Sequence, residues 1–398
     1  MHNKRNALFL LAGDGLSAFG TWIDFLAILT LAAYQFHVTA YQMAGVSAAG
    51  LLPGILAAPL IGRLCDRNDP KRLLLLSIAG RVAATGTILF CRDYSLFVAL
   101  VALRSVFASV APPAINVMAV RSVEPGERPR FYSILNVLNN SAKVLAPAIG
   151  TVSSSLSSEA FALVMSLTFS SASFVAFAGV GLVAKLPEPA GTSAAASATP
   201  AKSMLPLLWI AATCAFFVFM VNNLVPLVLQ RSGFDKALLG VLVSCSGAGN
   251  ILSGLWLAKH AASKAMQGEL GEMMVPAILQ AAGFGVIGLL LWLYRSHAAG
   301  ALAVTFFLIG TVSARYAIAT NVYLSSHYPA SIGKVSGALQ AWQGAMIFVA
   351  PMIGAVVLDG LGAPALFAFA AGTAAISFAL LRVLLAAGLP RLRIARSA

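Results

Sequence analysis

Two carboxylates lie inside a long apolar segment, where a charged side chain is costly and usually has a function. Asp14 and Asp24 fall within residues 8–34, with Ser17 and Thr21 between them. Steps of three, four and three residues place these four side chains on one face of a helix. We predict that Asp24 and Asp14 couple the protein to protons. Asp24 is the main predicted proton carrier, because it lies deeper in the segment. Counted along the helix from Leu8, Asp24 is at about 24 Å and Asp14 at about 9 Å.

A structural role is the alternative for this polar stripe. Ser17 and Thr21 would then form hydrogen bonds between helices, and a neighbouring arginine would neutralise one of the aspartates. The sequence alone leaves both interpretations open.

Basic side chains inside apolar segments outnumber the carboxylates there. They are Arg81, Arg104, Lys143 and Arg315, four cations against two carboxylates. The excess of positive charge predicts an anionic ligand. Water, helix C-termini or a neutral Lys143 would relieve the same excess without a ligand.

Lys143 and Arg104 are predicted to reach a similar depth in their segments. Arg104 is about nine residues from one surface and Lys143 about twelve from the other, at 1.5 Å per residue. Two cations at one depth would bind an acidic group such as a carboxylate, phenolate or hydroxamate, which the amides of Asn136 and Asn139 would orient. The competing interpretation is a permanent ion pair between Lys143 and Asp24.

The composition is that of an integral membrane protein. Of 398 residues, 59% are hydrophobic and 10% charged, and the mean hydropathy is +0.88. A soluble domain carries roughly 25% charged residues. The net charge of +13 does not indicate nucleic-acid binding, because the basic residues lie in short loops between apolar segments. The four cysteines show no close spacing and the five histidines are scattered, so we predict no disulfide framework, no metal site and no catalytic constellation.

Twelve apolar segments are each long enough to cross a bilayer of about 30 Å. They cover Leu8–Tyr34, Met43–Ile61, Leu73–Cys91, Leu96–Val120, Phe131–Ser153, Phe161–Ala184, Leu205–Leu229, Leu238–Ala258, Met273–Tyr294, Ala299–Leu324, Val335–Val357 and Pro364–Gly388. The predicted fold class is therefore an all-α membrane protein with twelve transmembrane helices.

The distribution of Lys and Arg sets the predicted orientation. Four of the 26 lie deep within segments, and with both termini in the cytoplasm only Arg92, Arg231, Lys236 and Arg295 fall on the opposite side. Short loops rich in Lys and Arg stay in the cytoplasm. Both termini are therefore predicted to be cytoplasmic.

A short motif repeats in the two halves of the chain. Residues 146–150, Ala-Pro-Ala-Ile-Gly, recur as residues 350–354, Ala-Pro-Met-Ile-Gly, an offset of 204. The same offset pairs Asn136 with Gln340 and Asn139 with Gln343. Equivalent segments then run in the same direction, which is a parallel repeat.

The repeat predicts two six-helix halves, residues 1–184 and 205–398. Residues 185–204, rich in Pro, Ser, Thr and Ala, are predicted to be a cytoplasmic linker. Ligand sites in such folds lie between the repeats. The predicted ligand-binding residues are Arg104, Lys143, Asn136, Asn139, Arg315, Gln340 and Gln343.

The charged loop at residues 62–72, the latch loop, reads Gly-Arg-Leu-Cys-Asp-Arg-Asn-Asp-Pro-Lys-Arg. Its spacing resembles the loop between the second and third helices of the major facilitator superfamily. The resemblance implies that Gly62, Asp66, Arg67, Lys71 and Arg72 form a conformational latch. Asp66 is expected at a helix N-terminus, whose partial positive charge favours an anion. A simple cytoplasmic loop rich in basic residues is the alternative.

Other motifs resemble the exporter branch of that superfamily. They include residues 19–24, Arg104, residues 112–114, and the loop residues Pro125, Glu127 and Arg128. Ala146, Pro147 and Gly150 resemble the antiporter motif of the fifth helix.

The resemblance implies a secondary active transporter of a bacterial inner membrane. The chain is similar to multidrug and siderophore exporters such as the enterobactin exporter group. The protein is therefore expected to export a small organic molecule by proton antiport and alternating access. The expected protein is a monomer without a cofactor, driven by the proton gradient, with Arg81 in a structural role. Import of an organic anion by proton symport and a non-transporting membrane sensor are the alternatives.

Overall fold

The computed structural model describes residues 2–36, 38, 40–156, 159–181, 204–222, 224–234, 236–260, 268–294 and 298–386. Regular structure within these ranges is helical. The α-helices are α1 His2–Tyr34, α2 Ala40–Ala49, α3 Leu52–Arg67, α4 Pro70–Ile88, α5 Tyr94–Ala108, α6 Ala111–Ser122, α7 Arg128–Leu156, α8 Glu159–Ala178, α9 Leu205–Asn222, α10 Val225–Arg231, α11 Lys236–His260, α12 Leu270–Tyr294, α13 Ala299–His327, α14 Ile332–Leu361 and α15 Ala363–Ala386.

Nine stretches of the described helices are long and apolar enough to cross a membrane. They are Gly45–Arg67, Tyr94–Ser122, Phe161–Ala178, Leu205–Asn222, Leu238–His260, Leu270–Tyr294, Ala299–His327, Ile332–Leu361 and Ala363–Ala386. They coincide with the second, fourth and sixth to twelfth predicted segments. Helices α1, α4 and α7 cover the first, third and fifth. The described parts of all twelve predicted segments therefore lie mainly on helices.

Three predicted segments, expected as single helices, are each built from two. The breaks separate α2 from α3, α5 from α6 and α9 from α10. A proline lies in the first turn of each following helix. Because proline has no backbone N–H and fixes its own φ, it is suited to the start of a helix and unsuited to its interior.

Aspartates define the starts of two other helices. The Asp69 carboxylate accepts a hydrogen bond from the Lys71 N–H at 3.0 Å, and α4 begins at Pro70. The Asp93 carboxylate accepts one from the Leu96 N–H at 2.7 Å at the start of α5. Both satisfy backbone donors that the helix itself leaves without partners.

The chain forms two compact units. The first comprises Met1–Leu186, Gly254–Gln267 and Leu324–Ala341, and the second the remaining residues. In the first unit α1 packs against α7 and α8. Hydroxyls of Ser166 and Ser173 on α8 donate to the Gly20 and Gly13 carbonyls of α1, at 2.9 and 2.8 Å. These short polar contacts bring the two helices close together.

The second unit has its own aromatic core. Helix α12 packs against α15 and α9. The Phe284 ring contacts those of Phe217 and Phe367, with centroids 5.8 and 6.1 Å away. The division of the sequence into residues 1–184 and 205–398 stays a prediction, and nearly all of the predicted linker lies outside the described residues.

Candidate functional site

Asp24 on α1 forms a buried ion pair with Arg104 on α5. The Arg104 Nε contacts Asp24 Oδ2, and both side chains are almost fully buried, 2% exposed for Asp24 and 6% for Arg104. The Thr85 hydroxyl of α4 lies 3.3 Å from the same oxygen. Asp24 Oδ1 and Arg104 Nη2 have no hydrogen-bond partner among the described residues. The pair is therefore incompletely satisfied, which is rare and costly for buried charges.

The middle of the α1 stripe is bound by Arg81 of α4. Its guanidinium donates to the Thr21 hydroxyl at 2.7 Å and to the Ser17 hydroxyl at 3.0 Å. A third contact, at 3.3 Å, reaches the Ser170 hydroxyl of α8. Ser17 and Thr21 thus connect helices, as the structural alternative for the stripe requires. Arg81 therefore connects α4 to α1 and α8 through hydrogen bonds, which is a structural role.

Asp14 at the other end of the stripe binds Asn139 of α7. The Asn139 amide donates to the Asp14 carboxylate at 2.7 Å and to the Leu135 carbonyl at 3.1 Å. Next to it on α7, the Asn140 amide donates to the backbone and side-chain oxygens of Asn136 at 2.8 and 3.1 Å. A predicted proton-coupling residue and a predicted ligand-binding residue are therefore in direct contact.

Lys143 of α7 lies over Trp22 of α1. Its Nζ is 5.7 Å from the centroid of the indole ring, and its side chain is exposed. The premise that Arg104 is a second unpaired cation is wrong, because Asp24 is its partner. The competing interpretation, an ion pair between Lys143 and Asp24, is not observed either, because the two side chains do not come within 4.0 Å of each other.

The predicted residues of the second half of the chain fall into different units. Gln340 belongs to the first, and its side-chain Oε1 is buried with no hydrogen-bond partner among the described residues. Arg315 and Gln343 belong to the second unit. Arg315 is exposed, and no described carboxylate lies within 4.0 Å of it.

Asp66 of the latch loop lies at the N-terminus of α14. Its two carboxylate oxygens accept hydrogen bonds from the Gly333 N–H at 2.8 Å and from the Lys334 N–H at 2.7 Å. These first-turn donors have no acceptor within their own helix. The carboxylate supplies both acceptors and a negative charge at the positive end of the helix.

Backbone contact between α3 and α14 requires glycine. A Cβ on Gly62 would overlap the Gly333 carbonyl oxygen, and one on Gly337 would overlap the Ala58 carbonyl oxygen. Neither position can hold a side chain without separating the helices. Gly62 therefore permits the close approach that places Asp66 on α14.

The basic residues of the latch loop have separate roles. The Lys71 ammonium donates to the Ala178 and Val180 carbonyls at the end of α8. Arg72 forms an exposed ion pair with Asp69 at 3.4 Å, and Arg67 is exposed. The contacts with α14 described above come from Asp66 and Gly62.

Arg128, at the start of α7, is buried and binds backbone carbonyls. The Arg128 guanidinium donates to the Val120 carbonyl at 3.0 Å, the Val123 carbonyl at 3.3 Å and the Ser325 carbonyl at 2.7 Å. It therefore joins the end of α6 to the end of α13. Sequence reasoning noted Arg128 only as part of a motif, and no local signal indicated the carbonyls that it binds.

Sequence similarity relates the chain to known transporters. The family model described as Major Facilitator Superfamily matches residues 10–351. The chain belongs to the major facilitator superfamily. It is 24% identical over 357 residues to the uncharacterized MFS-type transporter YfiS of Bacillus subtilis (strain 168), a match that covers 85% of this chain and 83% of YfiS.

Two solved transporter structures share the fold. The human organic anion transporter MFSD10 (TETRAN) superposes with a TM-score of 0.71 at 17% identity, covering 95% of this chain and 99% of that one. A bacterial homologue of the iron transporter ferroportin, in an outward-facing state, gives 0.67 at 15% identity, covering 96% and 98%. The predicted fold class is confirmed, and the protein is a multi-pass membrane transporter.

The predicted antiporter motif falls outside the part of the chain whose side chains the structure describes. This holds for Ala146, Pro147 and Gly150. Sequence reasoning also missed Thr85 and Trp22 as neighbours of the charged groups. Trp22 stands two residues before Asp24, but nothing in its sequence context indicates a basic neighbour.

Proposed function

We propose that this transporter exports small organic anions, drug-like or siderophore-like, by proton antiport across the inner membrane of a bacterium. The observation that carries the proposal is the buried pair of Asp24 and Arg104, with one oxygen and one nitrogen left unsatisfied among the described residues. Ionisable groups inside membrane helices mark proton and substrate pathways. Both termini lie in the cytoplasm in this proposal, the protein acts as a monomer, and the proton gradient replaces any cofactor.

Asp24 is the proposed proton carrier. While it is ionised, Arg104 compensates its charge, and adding a proton to the carboxylate removes that attraction. The pair therefore has two arrangements that differ by one proton. Asp14, which Asn139 holds at 2.7 Å, is the second proposed coupling residue. The latch loop, through Asp66 and Gly62, stabilises one of the alternating conformations.

Lys143 is the proposed anion-binding residue of the first unit. Its side chain is exposed, and no described carboxylate lies within 4.0 Å of it. Asn136 and Asn139 lie one to two turns before it on α7. Arg315, Gln340 and Gln343 remain further candidates for ligand binding. MFSD10 is an organic anion transporter, which agrees with this substrate class, although 17% identity supports the fold alone.

Proton symport of an organic anion is the second candidate function, and the same pair favours it. A proton on Asp24 would release the positive charge of Arg104, which could then bind an anion. Proton and anion would then bind cooperatively, as symport requires, whereas antiport requires that substrate binding release a proton.

Transport into inside-out vesicles tests the proposal. When the vesicle lumen is acidified, an exporter concentrates substrate in the lumen, and this accumulation disappears in Asp24→Asn. Glu124→Gln, which removes an exposed carboxylate in the loop between α6 and α7, is the control and is expected to transport normally. Equal pH-dependent transport by Asp24→Asn and the parent would reject Asp24 as the carrier. Proton uptake on substrate binding, in place of release, would favour symport.

A further inference from the structure

Lys143 is a cation with no carboxylate within 4.0 Å among the described residues. Asp24 pairs with Arg104, and the Asp14 carboxylate accepts a hydrogen bond from the neutral Asn139 amide, but neither carboxylate lies within 4.0 Å of Lys143. What faces the Lys143 ammonium is the indole of Trp22, 5.7 Å away. An indole face attracts a cation, but it carries no net charge. The ammonium therefore keeps donors and charge for an anion.

The indole belongs to an aromatic surface on α1. The Trp22 and Phe25 rings meet edge to face, with centroids 6.1 Å apart. Trp22 is half-buried, and Phe25 is 38% exposed. Aromatic rings prefer edge-to-face and offset-stacked neighbours, so this surface favours a planar ring over an aliphatic one.

We propose that Trp22, Phe25 and Lys143 form a subsite for planar aromatic carboxylates. The carboxylate binds the Lys143 ammonium through charge-assisted hydrogen bonds, and the ring of the ligand packs against Trp22 and Phe25. The subsite rests on the proposed function, because it names the class of organic anion that the transporter takes. Trp22 becomes a specificity-determining residue, which the charge pattern of the sequence did not single out.

Three small probes distinguish the contribution of the Lys143 charge from that of the aromatic surface. Benzoate carries both the ring and the charge, cyclohexanecarboxylate carries the charge on an aliphatic ring, and benzamide carries the aromatic ring without the charge. Calorimetry on the purified full-length protein in nanodiscs is expected to show benzoate binding about tenfold more tightly than either analogue.

The variants should each remove one preference. In Lys143→Gln, benzoate is expected to bind no better than benzamide, and Lys143→Arg should restore the difference. In Trp22→Leu, the preference for benzoate over cyclohexanecarboxylate should fall well below that of the parent, because Phe25 is then the one ring left in the subsite. The controls are Arg92→Gln, which removes an exposed cation, and Trp292→Leu, which removes an indole that is 67% exposed on α12. Both should bind like the parent.

Several results would overturn the subsite. They are equal affinity of the parent for benzoate and cyclohexanecarboxylate, no benzoate binding at all, or an unchanged ratio in a Trp22→Leu protein whose thermal unfolding matches the parent. Failure of the proposed function is distinguishable, because selective benzoate binding would then persist without proton-coupled transport.

Discussion

Replacing Asp66 by Asn should loosen the N-terminus of α14 without changing the affinity for substrate. The parent carboxylate accepts from the Gly333 and Lys334 N–H groups. Asparagine keeps one side-chain oxygen and replaces the other by an N–H₂ donor, which faces an N–H. One of the two hydrogen bonds is therefore lost, together with the negative charge at the helix end.

The size of the effect follows from these two losses. A hydrogen bond to a charged group contributes about 1.5–3 kcal/mol, and we take the lower end because Asp66 is only half-buried. A charge at a helix terminus contributes about 0.3–1 kcal/mol. The sum is about 2 kcal/mol, which corresponds to a change of about 30-fold in the equilibrium between attached and detached α14.

Amide hydrogen exchange measures this equilibrium at the atoms concerned. The Gly333 and Lys334 amides should exchange about 30-fold faster in Asp66→Asn than in the parent, because exchange tracks the open population. Asp69→Asn is the matched control. It removes the same charge from the same loop, but Asp69 caps α4 and not α14. The exchange of the two α14 amides should stay at the parent rate in that variant.

Either of two results would refute this role for Asp66. Unchanged exchange at Gly333 and Lys334 in Asp66→Asn would show that the carboxylate does not stabilise the start of α14. A loss of substrate affinity, with exchange unaltered, would show that Asp66 acts on substrate and not on conformation.

Three other substitutions test buried contacts through the free energy of unfolding. Asp24→Asn should lower it by about 3–5 kcal/mol, because Arg104 is left buried without its partner, and adding Arg104→Gln should recover part of the loss. Gly337→Ala should lower it by about 1–3 kcal/mol, since the new Cβ would overlap the Ala58 carbonyl. Arg128→Gln should lower it by about 1.5–3 kcal/mol through lost hydrogen bonds to carbonyls. Thermal or denaturant unfolding in detergent measures all three.

Matched controls exist for two of these substitutions. A Cβ on Gly372 meets nothing within 4 Å, so Gly372→Ala should leave stability unchanged or slightly raised. Arg130 is 62% exposed, and Arg130→Gln should change the free energy of unfolding by less than about 1 kcal/mol. If the double Asp24→Asn, Arg104→Gln protein were no more stable than Asp24→Asn alone, the pair would not be energetically coupled.

The helices were predictable because apolar length decides which segments cross a bilayer. Composition did not predict the breaks inside three of the segments. A proline follows each break closely, at Pro53, Pro112 and Pro226. The apolar run continues through each break, so hydropathy carries no signal of it. A proline in the first turn of a new helix and one inside a continuous helix look alike in a hydropathy pattern.

Pairing of charges was less predictable than their depth. The rise of 1.5 Å per residue predicted a similar depth for Arg104 and Lys143. It does not say which of these two side chains faces Asp24 on α1. That depends on how the helices are rotated and packed. The expectation that Asp66 binds a helix N-terminus named the right chemistry, whereas its partners Gly333 and Lys334, 267 and 268 residues away, needed the tertiary structure.

The contacts of α1 also bear on the order in which the protein is made. Asp14 and Asp24 leave the ribosome before Arg104, the partner of Asp24, which follows Asp24 by 80 residues. Insertion of an aspartate at the centre of a membrane helix costs about 2.5–3.5 kcal/mol when the helix inserts alone. We therefore expect α1 to remain with the insertion machinery until α4 and α5 have been synthesised. The first helix of the chain is stabilised in the bilayer by residues that are translated after it.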